Sequence, residues 1–192
     1  MLSPTVQKLV DLFAKFPTIG PRTARRFVFY LIKKDQKEIN DLIEAINNLK
    51  SEIKLCDLCG KSFETEEQNG NSCAICSDSR RDKAVICVVE KEVDLEAIEK
   101  TGQFNGLYFI WDTGSEEQQL KKLFNRVKKD LIKEVILALD PTLDGRQLVL
   151  KIQRNLETSK IKITKLGQGL PVGGEIEYAD EETITFAIEG RK

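Results

Sequence analysis

Four cysteines constrain this chain more than any other feature. Cys56, Cys59, Cys73 and Cys76 form two Cys-x2-Cys pairs separated by thirteen residues. Each pair can fold into a tight turn that brings both sulfurs toward one point, and four thiolates complete the closed, tetrahedral coordination of a structural zinc site. The insert contains Glu64, Glu66, Glu67, Asn69, Gly70, Asn71 and Ser72, too polar to build a core of its own. Metal must therefore supply the folding energy, on the order of 10–16 kcal/mol for a site of this kind. Two disulfides are the alternative, which the spacing and the setting disfavour. With no open coordination position, the zinc should hold shape and perform no chemistry. The fifth cysteine, Cys87, lies within Ala84-Val85-Ile86-Cys87-Val88-Val89, a segment that reads as a buried strand. It is expected to be a packed apolar thiol, neither ligand nor nucleophile.

A chain of 192 residues can bury a substantial core in one or two domains. Its longest apolar runs, such as Val135-Ile136-Leu137-Ala138-Leu139, are far too short to span a bilayer. Neither a basic n-region nor an apolar h-region follows Met1, so no secretory signal is expected. Together with a thiolate metal site, this predicts a reducing, cytoplasmic setting. Thirty basic and thirty-one acidic residues nearly cancel, but they are unevenly spread. Seven bases and one acid lie between Lys15 and Lys37, whereas six acids and no base lie between Glu175 and Glu189. That asymmetry suits a protein that meets a polyanion with one end only. The chain has no histidine, which removes His-based triads, imidazole metal ligands and the usual general base at neutral pH.

Ser3 as N-cap and Pro4 at the first helical position predict a helix with Val6, Leu9, Val10 and Phe13 on one face. Thr18-Ile19-Gly20-Pro21 makes a turn, and a second helix runs from Arg22 to about Lys34, with Ala24, Phe27, Val28 and Leu31 inward. A third, from about Glu38 to Ile53, carries the apolar seam Ile39, Leu42, Ile43, Ile46, Leu49 and Ile53. After the cysteine module the pattern changes. Strands at Ala84–Val89, Leu107–Trp111, Glu134–Leu139 and Lys160–Leu166 alternate with helices near Asp94–Lys100, Glu116–Lys129 and Arg146–Glu157. This rhythm predicts an α/β, mainly parallel sheet covered by helices. Asp180-Glu181-Glu182 reads as a helix start, although Thr183–Ile188 also fits a strand.

The turn between the first two helices has two readings. The N–H groups freed at the second helix's start can hold a phosphate, with Gly20 allowing close approach and Arg22, Arg25 and Arg26 supplying charge. Residue types alone fit an ordinary helical hairpin with a solvated basic face equally well. Gly167-Gln168-Gly169 through Gly173-Gly174 lacks the Gly-Lys-Ser/Thr ending of a phosphate loop and reads better as a turn-rich connection.

The segment Phe16-Pro17-Thr18-Ile19-Gly20-Pro21-Arg22-Thr23-Ala24 resembles the helix-hairpin-helix of the bacterial recombination mediator family RecR. The cysteine module with its Cys73–Asp78 ending resembles that family too, as do Arg80-Arg81-Asp82 and Val88-Val89-Glu90. The most specific stretch is Gly169-Leu170-Pro171-Val172-Gly173-Gly174-Glu175-Ile176-Glu177-Tyr178-Ala179-Asp180-Glu181. The likeness covers essentially the whole chain in order. It implies a helix-hairpin-helix domain (1–54), a four-cysteine zinc finger (55–81), a Toprim domain (82–166) and a C-terminal closing segment (167–192). It further implies a ring-like homotetramer that encircles or clamps DNA, acting with RecO and RecF to load recombinase on single strands. A nucleoid-associated cytoplasmic location accompanies that role. The family's basic hairpin positions match Arg22 and Arg26.

Three positions depart from the family pattern. Thr18 stands where a glycine is usual, and Asp112-Thr113-Gly114-Ser115 replaces a longer loop after Trp111. At the Toprim acids, Glu90 fits the glutamate after the first strand and Asp140 the first aspartate of an Asp-x-Asp pair, but Thr142 stands at the second, followed by Asp144-Gly145-Arg146. Magnesium wants anionic oxygens in near-octahedral geometry, so losing a carboxylate and gaining Arg146 argues against a catalytic cluster. Glu90, Asp140 and Asp144 are expected to form a partner-docking surface, and the chain is expected not to be an enzyme. The alternative is a magnesium-dependent Toprim enzyme, nuclease or primase-like, that uses the same acids.

Overall fold

The computed structural model describes residues 2–65, 70–111, 115–159 and 161–191. Glu66, Glu67 and Asn69 of the cysteine insert, Asp112-Thr113-Gly114 after Trp111, and Lys160 lie outside them. The chain divides into two compact units, Met1–Ile53 and Lys54–Lys192.

The first unit is helical: α1 (Pro4–Phe13), α2 (Pro21–Ile32) and α3 (Gln36–Glu52). Ser3 caps α1, its hydroxyl accepting from the Val6 amide, and Asp35 caps α3 through the Glu38 amide at 2.8 Å. Helices α1 and α2 close on a small core of Val10, Ala24 and Val28, with Val6, Leu9, Phe13 and Ile19 packed around it. Phe27, expected to point inward, is exposed, although its ring meets Phe13 edge-on. The third helix forms where its periodicity predicts, yet it buries no residue. Leu42, Ile43, Ile46 and Leu49 of its apolar seam are all exposed.

The second unit begins with a two-stranded sheet, β1 (Ile53–Leu55) and β2 (Ser62–Glu64), and the short helix α4 (Ala74–Ser77). A four-stranded parallel sheet follows, built from β3 (Val85–Val89), β4 (Leu107–Ile110), β5 (Glu134–Ala138) and β6 (Lys162–Lys165) in the order β4-β3-β5-β6. Helices α5 (Glu92–Lys100), α6 (Glu116–Lys129) and α7 (Leu143–Leu156) connect the strands. Strand alternation sorts the side chains onto two faces. Ile86, Val88, Leu107, Phe109, Val135 and Leu137 pack with Leu123 and Val127 of α6 and Val149, Ile152 and Leu156 of α7. On the opposite face Cys87, Val89 and Tyr108 pack with Leu95 of α5 and with Cys56, Cys59, Phe63 and Cys73. The cysteine module is therefore part of the wall of the sheet's second face.

Helix α7 begins at Leu143, three residues before the expected start, because Thr142 is its N-cap and its hydroxyl accepts from the Gly145 amide at 3.1 Å. The strand reading of Thr183–Ile188 gives way to helix α8 (Glu181–Glu189), for which Asp180 supplies the cap through the Thr183 amide at 2.8 Å.

Candidate functional site

Cys56 and Cys59 sit on the turn after β1, and Cys73 and Cys76 at the start and within α4. The backbone folds each pair as its spacing requires: the Gly60 amide donates to Cys56 O at 2.8 Å, and Gly60 takes φ +83°, a conformation open to glycine. All four sulfurs lie within 4.8 Å of one another, and Cys59 Sγ stands 3.5 Å from Cys73 Sγ. A tetrahedral zinc with ~2.3 Å bonds to sulfur requires S···S separations of ~3.8 Å, so this donor set is near the geometry a metal needs. The five cysteines are free thiols, which removes the disulfide alternative. Hydrogen bonds within the cluster pull the Cys56 and Cys73 thiols down toward thiolate and push those of Cys59 and Cys76 up, so the four sulfurs share protons that a bound metal would displace. Cys87 is buried in β3, where burial pushes its thiol up to about 12.

The cysteine cluster is fastened to the sheet at an edge. β4 is an edge strand, and such strands leave amide and carbonyl groups without partners. Here the Ile110 amide donates to Cys59 O at 2.8 Å. The guanidinium of Arg126, only 6% exposed, donates to Tyr108 O at 2.7 Å, to Leu58 O, and to Cys76 Sγ at 3.7 Å. Arg126 was not singled out from the sequence. Its signal was there nonetheless: Gln119, Leu123 and Arg126 follow the i, i+4, i+7 spacing of a buried face, and all three are buried.

In the helical unit, Gly20 caps α2 without a side chain and Pro21 occupies its first position. The Arg22 and Thr23 amides fall in the first turn, where amides have no intrahelical acceptor, whereas Ala24 already donates to Gly20 O at 3.0 Å. Gly20 has an ordinary φ of −82°, and a Cβ added there meets nothing within 4 Å. Nothing among the described residues requires glycine at this position. The strained residue is Thr18, at φ 64°, so a β-branched side chain holds the left-handed conformation that suits glycine. Arg22, Arg25 and Arg26 are exposed and have no ion-pair partner among the described residues.

The acids of the parallel sheet meet at its carboxyl edge. Glu90 follows β3 directly, Asp140 lies two residues past β5, and the strands are paired through Val89 and Ala138. Glu90 Oε1 accepts the Asp140 amide at 3.1 Å, while Lys91 Nζ stands 3.7 Å from Asp140 Oδ2. Gly145 permits this closeness: a Cβ there would lie 2.0 Å from Asp140 O and 3.1 Å from Glu90 Oε1. Asp144 sits in the first turn of α7, beside Glu90 in the wall of a small cavity. The sequence pointed to Arg146 as the competing charge, but its guanidinium turns to α8, 2.6 Å from Glu182. Lys91 takes that place. The hydroxyl of Thr142 caps α7. Among the described residues, the four cysteines are the only group of three or more Cys, Asp, Glu or His that could hold a metal ion.

Fold and site together define a helix-hairpin-helix and Toprim protein with a four-cysteine cluster that could hold a metal ion. Family models agree segment by segment: "RecR, helix-hairpin-helix" matches residues 6–50, "Toprim domain" 84–167 and "RecR, C-terminal" 169–192. The chain is 40% identical to the recombination protein RecR of Bifidobacterium animalis subsp. lactis over 195 residues, covering 97% of this chain and 95% of that one. It is 36% identical to RecR of Leifsonia xyli subsp. xyli over 200 residues, covering 100% and 98%, and 37% identical to RecR of Acidothermus cellulolyticus over 200 residues. The chain belongs to the RecR family of recombination proteins.

Proposed function

We propose that this chain is a non-enzymatic, DNA-binding mediator of recombinational repair. The observation that carries the reading is the start of α2, where three exposed arginines without ion-pair partners among the described residues stand beside first-turn amides and a glycine that no contact among those residues explains. Backbone amides and arginines recognise phosphate and carry no base information, so binding is nonspecific in sequence. The domain boundaries follow the family layout, 1–54, 55–81, 82–166 and 167–192. One zinc per chain, on Cys56, Cys59, Cys73 and Cys76, stiffens the finger against the sheet. The exposed apolar seam of α3 supports self-association into the family's ring-like homotetramer, since leaving Leu42, Ile43, Ile46 and Leu49 in water costs free energy that burial against another copy recovers. Glu90, Asp140 and Asp144 form the acidic surface that meets RecO-like or RecF-like partners and steers their approach. The work is done in the cytoplasm, at the nucleoid.

The test is DNA binding by Arg22→Glu/Arg26→Glu. Four units of charge change at a phosphate site should weaken binding at least about tenfold at moderate salt and flatten its salt dependence. A folded double variant that binds as tightly as the parent removes the hairpin from DNA recognition. Incubation with single- and double-stranded DNA in magnesium or manganese tests the enzymatic reading. Cleavage, joining or relaxation that vanishes in Glu90→Ala would establish a Toprim enzyme.

A further inference from the structure

A cavity of about 750 Å³ opens where the first cysteine turn, the end of β4 and helix α6 meet. That volume falls in the range of binding pockets, about 300–1,000 Å³. Leu55, Leu58, Phe109, Ile110 and Trp111 are its apolar lining residues, Trp111 half-buried with its ring 6.4 Å from that of Phe109. Of the acids around it, Asp130 is paired with Arg126 at 3.3 Å, whereas Asp57 and Glu90 accept from neutral donors, Asn71 Nδ2 at 2.9 Å and the Asp140 amide at 3.1 Å, and keep their charge at the cleft's other end from α6. Lys91 is held by Asp140. Two lining cations remain, Lys122 and Lys129, both exposed and without an ion-pair partner among the described residues. With Asn125 between them they follow i, i+3, i+7 along one face of α6, so the two ammonium groups are rooted about 10 Å apart.

We propose that this cleft is a second nucleic-acid site, one that takes an unpaired DNA strand, with a base against Trp111 and phosphates on Lys122 and Lys129. An aromatic wall beside a row of unneutralised cations is the chemistry that binds single strands without base preference, because every base has a face to stack and every nucleotide a phosphate. A duplex keeps its bases stacked internally and offers Trp111 nothing comparable. The proposal assumes that the chain meets DNA, but not that the hairpin is where it does so.

Trp111 is the chain's single tryptophan, so its fluorescence reports on one residue, in the wall of this cleft and of the smaller cavity beside Asp144, and the lysine variants tie the signal to this cleft. Titrating the full chain with oligothymidylate, while following tryptophan emission and the anisotropy of labelled strand, should give quenching that saturates with binding. Lys122→Glu/Lys129→Glu should abolish the quench, weaken single-strand binding about tenfold or more, and lower the salt slope by about 1.4, two phosphates at ~0.7 each. If that variant fails to fold, Lys122→Gln/Lys129→Gln should show the same changes at smaller size. Arg22→Glu/Arg26→Glu should keep the full quench amplitude at saturation, whether or not its affinity falls. Strand binding that saturates by anisotropy with no change in Trp111 emission overturns the cleft and leaves the hairpin standing. So does a folded lysine variant with the parent's affinity and salt slope. Equally tight quenching by thymidine monophosphate overturns the assignment to a strand.

Discussion

Replacing Arg126 by methionine probes the joint between the metal site and the sheet. Methionine keeps much of the aliphatic stem and removes every donor, so the change reports the hydrogen bonds rather than the packing. The carbonyls of Leu58 and Tyr108 would lose their charged donor, at about 1–3 kcal/mol each. Asp130, about a quarter exposed, contributes less than about 1 kcal/mol through its 3.3 Å contact. Removing a buried cation returns some desolvation energy, but the acceptors stay behind, so the net loss should be about 2–4 kcal/mol. For a unit of this size, each kcal/mol lowers Tm by roughly 3 °C, which predicts a drop of about 6–12 °C. Arg126 also contacts Cys76 Sγ at 3.7 Å, and loss of such an outer contact typically weakens metal binding about 10- to 100-fold. Thermal unfolding followed by circular dichroism, with zinc affinity from chelator competition, measures both. A Tm within about 2 °C of the parent and unchanged zinc affinity would show that the guanidinium does not fasten the finger.

Cys56→Ser should leave well under one zinc per chain by metal analysis and destabilise the sheet as well as the finger, because Cys56 packs in the same cluster as Cys87 and Tyr108. Thr18→Gly should relieve about 1–2 kcal/mol of left-handed strain, less the ~0.5–1 kcal/mol of added chain entropy, and raise denaturant stability by roughly 0.5–1 kcal/mol. A loss of stability there would mean that the threonine makes a compensating contact. Asp140→Lys should weaken association with a RecO-like partner in a pull-down or calorimetric titration while leaving DNA binding by the purified protein unchanged; equal loss of both would place the acids in the DNA site.

The local features of this chain were legible in its sequence because the forces behind them act within a few residues. Ser3, Pro4 and Pro21 mark helix starts, and the alternation of strand and helix after Arg81 predicts a parallel sheet. The spacing of Cys56, Cys59, Cys73 and Cys76 predicts their convergence, and the ends of β3 and β5 predict the meeting of Glu90 with Asp140. Tertiary structure decided what long side chains and whole faces do. Arg146 turns to Glu182 and Lys91 takes its place beside Asp140, because several rotatable bonds let each cation choose a partner that only the folded backbone brings within reach. Thr142 became a cap once α7 began at Leu143. The α3 seam kept its helical period but found no cover within the helical unit, since periodicity states which face is apolar and not what lies opposite. Only the assembled sheet, with β4 at its edge, gave the buried Arg126 and the cysteine turn their common task of satisfying that edge.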